Sequence, residues 1–336
     1  MNLKTIADRA GVSTATVSNV INGVHNKVSK ETIERVNKVI EELNYSPNAT
    51  ARSLASKESR IIGLIVPNTG NDMNFGSDPY TTYAIALLEQ IVRREGYYLM
   101  IRSVVRSKEI TNLANTWNVD GMVILGAFEE DVMEIERVLG HRPTVYTDTY
   151  VKGTPIANVG IDDYKGGFLS ASYLLEMGHR KIALVSPDVE SPGVINERYR
   201  GFCDALGERG LTLTSEDIFV TETSSEAGSE AGKAIARSGR GYTAVAAMSD
   251  TLALGVNKGL QECGLGVPDD VSVIGFDDLR VNRYMTPGLT TISQNMEEKF
   301  RLVGEHLFQM IRNKEKYAVN ERLDVEVVER QTVRRI

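Results

Sequence analysis

The chain has 336 residues, 42% of them apolar and 25% charged, which suits a soluble globular protein of more than one domain and excludes both a single small module and a disordered chain. Its net charge of -7 at first speaks against a nucleic-acid partner. The charge is unevenly divided, however: residues 1–60 hold nine Lys and Arg against six Asp and Glu, and the remainder holds 29 against 39, so a small basic head precedes an acidic body. Only Cys203 and Cys263 are present, which gives no disulfide framework. No apolar run reaches the length of a membrane span and Met1 leads directly into a helical pattern without a signal peptide, so a cytoplasmic protein with no membrane association is expected.

The first pattern is TIADRAGVSTATVSNVIN, from Thr5 to Asn22. Ile6, Ala7 and Ala10 share one helical face, Gly11 allows a left-handed turn, and Val12, Val17, Val20 and Ile21 resume the spacing behind Ser13, a natural N-cap. This is the signature of a helix-turn-helix. Thr14, Ala15, Ser18, Asn19 and Asn22 are left facing outward. Small polar side chains on that face let a helix backbone sink into a major groove, where Ser and Thr reach several bases, Ala meets a thymine methyl and Asn pairs with adenine. Thr5, Ser13 and Thr16 complete the expected DNA-contacting set of the head. A third helix is predicted behind Ser29, with Ile33, Val36, Val39, Ile40 and Leu43 at helical spacing. Pro47 behind Ser46 then starts a helix of only about two and a half turns, too short to be stable alone in water.

Three segments, AxxAGVSxxTVSxVIN, VSxETxERV and LNYxPNxxARxLxxxxS, resemble the N-terminus of the LacI/GalR family of bacterial transcription regulators. The resemblance implies that the short segment is a hinge helix, formed when two subunits sit on DNA, with Leu54 wedged into the minor groove and Asn48, Ala51, Arg52 and Ala55 supporting it. The physics is consistent, since an apolar wedge unstacks a base step and kinks the duplex. The domains expected on this basis are a headpiece over 1–46, a hinge and linker over 47–59 and an effector-binding and dimerisation core over 60–336.

From Arg60 the pattern alternates. RIIGLIVP reads as a buried strand, PYTTYAIALLEQIVRREG as a helix, YYLMIRSV as a strand and KEITNLANTWN as a helix, followed by GMVILG, EDVMEIERVLG and PTVYTD. Short apolar runs between amphipathic helices mean an α/β fold with a parallel sheet covered on both faces. The order restarts with NVGIDD and runs through KIALVS, DIFVTE and AVAAMSD, each followed by a helical pattern, to VSVIGFDD. Two successive α/β units suggest two lobes around a cleft, with ligand held beyond the carboxyl ends of the strands. LTTISQ reads as a strand, MEEKFRLVGEHLFQMIRN as a helix and RLDVEVVERQT as one final strand. The family resemblance extends over essentially the whole chain, through GHRKIALVS, RYRGFCDAL, VPDDVSVIGFDD and VERQT. It implies a periplasmic-binding-protein-like core of two doubly wound parallel sheets with three crossovers, the first lobe over about 60–158 plus 290–320 and the second over about 159–289 plus 321–336.

Residues at strand ends give the cleft its chemistry. Asp148 follows PTVYT, Asp250 follows AVAAMS, and Asp277 and Asp278 follow VSVIGF. Such carboxylates can accept from vicinal hydroxyls, and Arg198 at a helix start can donate to the same ligand. In family terms Asp148, Arg198 and Asp277 match effector-binding positions, whereas Asp250 and Asp278 are equally readable as helix caps. Tyr80 and Thr81 fall at the first-lobe contact point, and Phe75 lies in an extended loop before them. Three departures from the family pattern stand out: Ser249 replaces the family's usual Asn, Thr223 stands where many sugar-binding members place an aromatic that stacks on a pyranose, and the first-lobe loop PNTGNDMNFGSDPYTT is longer than usual.

Nothing in the sequence groups a nucleophile with a base, and His25, His141, His179 and His306 are scattered. There is no G-x-G-x-x-G after a strand, no P-loop, no H-E-x-x-H and no paired Cys, so no catalytic or metal site and no cofactor is expected. The expectation is a non-enzymatic repressor, a homodimer on a pseudo-palindromic double-stranded DNA operator, controlled by a carbohydrate-like small molecule in the cleft. Control by a phosphorylated protein corepressor is an alternative, and so is a solute-binding protein without a regulatory role, although the latter would need an export signal.

Overall fold

The computed structural model describes residues 3–21, 24–45, 58–67, 78–104, 110 and 116–336. Residues 1–59 and 60–336 are two separately packed units. In the first, α1 (Leu3–Ala10), α2 (Thr14–Ile21) and α3 (Lys30–Glu42) enclose Ile6, Ala7, Ala10, Val17, Val20, Val36 and Val39. Gly11 turns between the first two helices at φ +62°, a conformation that any side chain would strain. Ser29 caps α3 by accepting from the Thr32 N–H. The segment from Ser46 to Lys57 lies outside the described residues, and with it the expected hinge helix.

The second unit is built on two six-stranded sheets. The first has the order β11-β5-β4-β3-β1-β2 and is parallel throughout, with β1 at Ile61–Pro67, β2 at Tyr98–Val104, β3 at Gly121–Leu125, β4 at Thr144–Thr147, β5 at Ala157–Ile161 and β11 at Val319–Leu323. Its residues alternate between faces. Leu64, Val123 and Val145 meet α4 (Pro79–Arg94) and α10 (Met296–Asn313), while Ile65, Met122 and Ile124 meet α5 (Glu129–Leu139).

The second sheet runs β12-β10-β9-β8-β6-β7, with β6 at Ile182–Ser186, β7 at Ile218–Val220, β8 at Ala244–Ala247, β9 at Ser272–Asp277, β10 at Thr290–Ser293 and β12 at Glu326–Val328. Only β12 is antiparallel to its neighbour. One face is covered by α6 (Asp163–Glu176) and α7 (Val194–Gly207), the other by α8 (Ser225–Arg237) and α9 (Asp250–Glu262). Among the described residues no helix is long and apolar enough to cross a membrane.

Three sequence expectations are corrected by the sheets. NVGIDD does not open the second lobe: β5 pairs with β4 and β11, and the chain crosses only after Ile161. LTTISQ, expected in the first lobe, is β10 of the second sheet, and the return crossing falls between Ser293 and Met296. The single final strand is two, β11 closing the first sheet and β12 the second, so the third crossing lies between Leu323 and Glu326. A continuous run of β-favouring residues cannot show that its two halves pair in different sheets.

The crossing of α6 and α7 depends on glycine. A Cβ on Gly167 would lie 1.8 Å from the carbonyl oxygen of Arg198, and one on Gly201 1.9 Å from that of Tyr164. Both obstacles are backbone, so the helices themselves would have to part, and Arg198 would move with them. Gly167→Ala is expected to lower the stability of the core by about 1–3 kcal/mol or more, read as a reduced midpoint in urea unfolding; an unchanged midpoint would show that the helix pair has slack.

Candidate functional site

The head presents the first candidate surface. Ser13 Oγ accepts the Thr16 N–H at 3.1 Å and lies 2.9 Å from the Thr16 hydroxyl, so these two residues shape the start of α2. Val17 and Val20 are buried, Thr14 and Ala15 are exposed, and Thr5, Thr16, Ser18 and Asn19 are half-buried. The outer face of α2 is therefore short-chained, and its backbone can approach a groove closely. Of the remaining expected DNA contacts, Asn22, Asn48, Ala51, Arg52, Leu54 and Ala55 lie outside the described residues.

The second candidate site is a cavity of about 320 Å³ between the strand ends of the two sheets. Val66 is the penultimate residue of β1, Leu125 ends β3, and the cavity touches both, beside the point where the first sheet's strand order reverses. Tyr80, Thr81, Asp148, Arg198, Thr223, Ser249 and Asp277 all line it. Phe75, the remaining expected contact, lies outside the described residues.

Much of the polar lining is already engaged. Asp78 caps α4, accepting from the Tyr80 and Thr81 N–H groups at 3.3 and 3.0 Å and from the Thr81 hydroxyl at 2.5 Å. Ser249 caps α9 through the Leu252 N–H at 3.2 Å. Arg198 stacks over the Phe276 ring at 3.6 Å, donates Nε to Asp163 Oδ1 and Nη1 to the Met248 carbonyl, both at 2.8 Å, and stands 3.9 Å from Asp277 Oδ1. Asp163 also accepts from Tyr150 at 2.7 Å.

Sequence reasoning missed the residue behind this wall. Lys299 has no solvent exposure and spends its three N–H groups on Asp148 Oδ1 at 2.7 Å, Gln294 Oε1 at 2.9 Å and the Tyr80 hydroxyl at 3.0 Å. Gln294 in turn donates to Asp277 Oδ1 at 2.5 Å. The signal was present: Lys299 sits three residues after Met296 and four before Val303, on the apolar face of its helix. Phe128 was missed as well. It lines the cavity, is 49% exposed, and supplies an aromatic ring that Thr223 does not.

Asp250 and Asp278 have structural roles. Asp250 is fully buried and receives the Thr291 hydroxyl, the Leu279 N–H and the Asn282 amide at 2.6 to 2.8 Å. Asp278 pairs with Arg330. His179, also buried, is held between Thr243 and the Arg334 carbonyl. Among the described residues no group of His, Cys, Asp and Glu is arranged to hold a metal ion.

Burial pushes Asp277 up to about 7, against the opposing charge of Arg198 and with the support of Asp78. Burial likewise raises Asp163 despite Arg198, and raises Tyr80 well above its ordinary range with help from Asp148 and Asp277. Asp148 and Asp277 adopt φ values of 50° and 125°, a concentration of unfavourable backbone at the two facing strand ends.

A helix-turn-helix head on a two-lobed core with a ligand-sized cavity defines a DNA-binding regulator under small-molecule control. Residues 2–48 match the family described as bacterial regulatory proteins, lacI family, and residues 171–333 match a periplasmic binding protein-like domain. The ribose operon repressor of Haemophilus influenzae is 32% identical over 315 residues, covering 93% of this chain and 92% of its own length. The fold superposes on the lac repressor dimer bound to operator and the anti-inducer ONPF with a TM-score of 0.83, 26% identity and 99% of each chain covered. It also superposes on a LacI family transcriptional regulator from Enterococcus faecium with bound ribose, at a TM-score of 0.70 and 26% identity, over 82% of this chain and 99% of that one. The chain belongs to the lacI family of bacterial transcriptional regulators.

Asp277 makes the core pH-sensitive. The folded protein keeps this carboxyl protonated to about pH 7, while the unfolded chain ionises near 3.8. Between those values the native state binds more protons, so the stability that protonated Asp277 contributes at acid pH is lost as pH rises through about 7 and changes no further above it. Asp277→Asn is expected to lessen the fall of stability between about pH 4 and 7 in urea titrations, the remainder belonging to Asp163 and Asp250, whose carboxyls burial also raises; a slope identical to wild type would show that the Asp277 carboxyl ionises normally.

Proposed function

We propose that this regulator reads a pseudo-palindromic operator as a homodimer through the outer face of α2, and that a carbohydrate-like polar molecule in the 320 Å³ cavity sets its operator affinity. The observation that carries the effector reading is the convergence of Asp148, Arg198 and Asp277 from both lobes on one cavity that also has an apolar wall of Val66, Leu125, Phe128, Ile195 and Met248. Sugars need both: carboxylates and a guanidinium for hydroxyls, and an aromatic or aliphatic surface for the C–H face. Thr251 adds a hydroxyl on the cavity wall that is buried without a hydrogen-bond partner among the described residues. A ribose operon repressor among the relatives and bound ribose in a structural neighbour support a small sugar or a related metabolite.

Pairing of two cores is supported by an apolar patch where the first lobe meets the second. Tyr83 on α4 lines a shallow groove with Leu279 and Val281, and Tyr284 beside them is 82% exposed. Two heads in register would place their α2 helices in successive major grooves. A ligand with different affinity for two lobe arrangements shifts that register, commonly by about 1–3 kcal/mol of coupling, or 5 to 150-fold in affinity.

Two experiments test these parts separately. Selection from random duplexes with full-length protein is expected to return an inverted repeat, and changing Ala15 or Asn19 to alter the preferred half-site, at about 1–3 kcal/mol per mismatched base pair. The same repeat from both variants would show that α2 does not read bases there. Calorimetry with a panel of sugars, ribose and its phosphorylated forms included, is expected to find one ligand per chain, with Arg198→Lys weakening it at least tenfold while operator binding in the absence of ligand persists. Undiminished binding by that variant would remove the cavity from the effector role.

A further inference from the structure

A second and larger cavity, of about 850 Å³, opens between the lobes on the other side of α7. The first lobe contributes the loop after β4 and strand β11, and the second contributes the start of α7. Helical periodicity divides that start between the two cavities: Val194, Ile195 and Arg198 face the first, whereas Gly193, Asn196, Glu197 and Arg200 face the second. The volume is within the range of small-molecule sites, roughly 300–1,000 Å³.

Its charged groups are unequally satisfied. Glu129 accepts the backbone N–H of Lys152 at 2.9 Å, and Glu197 pairs with Arg200 at 2.6 Å. The side chains of Lys152 and Arg322 make no ion pair among the described residues, and both are exposed. Arg322 is held over the Tyr150 ring, 5.3 Å from its centroid, which fixes the guanidinium without consuming its donors. Lys152, Arg200 and Arg322 against Glu129 and Glu197 leave this lining with one positive charge in excess, a local reversal of sign in a chain of net charge -7.

We propose that this cavity binds a small anion, a phosphate or carboxylate compound, through Arg322 and Lys152 of the first lobe, with the first turns of α7 as the opposing wall. Arg322 offers paired donors to two anion oxygens and Lys152 a point charge. The site is wired to the effector cavity by two hydrogen bonds: Tyr150, under Arg322, donates to Asp163, and Asp163 holds Arg198. An anion that draws α7 toward β11 shifts the helix that carries Val194, Ile195 and Arg198.

The test is calorimetry of the full-length protein at low ionic strength with inorganic phosphate and, separately, citrate, which distinguishes a phosphate site from a carboxylate site. Wild type is expected to bind one anion per chain, and the double variant Lys152→Gln with Arg322→Gln to bind it at least tenfold more weakly. Because both positions are exposed, that variant should keep its melting temperature. Thr223→Val, in the effector cavity, should leave anion affinity within twofold. Amide exchange over residues 193–200 is expected to slow with anion in wild type and not in the double variant. Absence of binding to both anions, equal affinity in the double variant, or loss of affinity in Thr223→Val would each overturn the assignment.

Discussion

The core depends on how it keeps one lysine out of water. Burying an ammonium is affordable only when every donor is met and a carboxylate lies alongside; removing the partner from such a pair commonly costs about 3–5 kcal/mol. Lys299 meets those terms through Asp148 at the end of a first-sheet strand, the Tyr80 hydroxyl and the side-chain oxygen of Gln294. Gln294 stands on the crossing segment and hands the chain of hydrogen bonds to Asp277 at the end of a second-sheet strand. One buried cation therefore organises groups from both lobes around the floor of the effector cavity.

That arrangement gives the cavity's two strand-end carboxylates different partners. Asp148 faces a cation directly, whereas Asp277 has Arg198 only at 3.9 Å and lies deep in the protein, so burial dominates and its proton is retained to about pH 7. Near neutrality the second-sheet strand end therefore presents a group that changes between donor and acceptor, beside an Asp148 whose oxygens already accept from Lys299 and Tyr80. Specificity for a ligand follows from such asymmetry, because a polar group left unmatched in a closed cavity is costly.

Most of the architecture was legible because a parallel sheet writes itself as short continuous apolar runs, and the runs ending at Val66, Leu125, Thr147, Met248 and Asp277 put the site at their carboxyl ends. The head was legible for a different reason: Gly11 and Ser13 have conformational jobs that few residues do, and they fall where a turn and a cap are needed. What the sequence concealed was pairing between distant segments. Nothing local distinguishes β5 as the last strand of the first sheet rather than the first of the second, and nothing splits the tail between Leu323 and Glu326. Lys299 was concealed because a lysine on an apolar helix face normally extends its head to solvent, and only the tertiary position of Asp148 shows that this one does not.

The positions of the three crossings have a mechanical result. β5 and β11 are neighbours at one edge of the first sheet, and β10 and β12 are neighbours at one edge of the second, so every covalent link between the lobes passes along a single border. Bound together in this way, the connections resist sliding but leave the opposite border unattached, and the lobes can swing like the covers of a book about its spine without breaking a rung of either ladder.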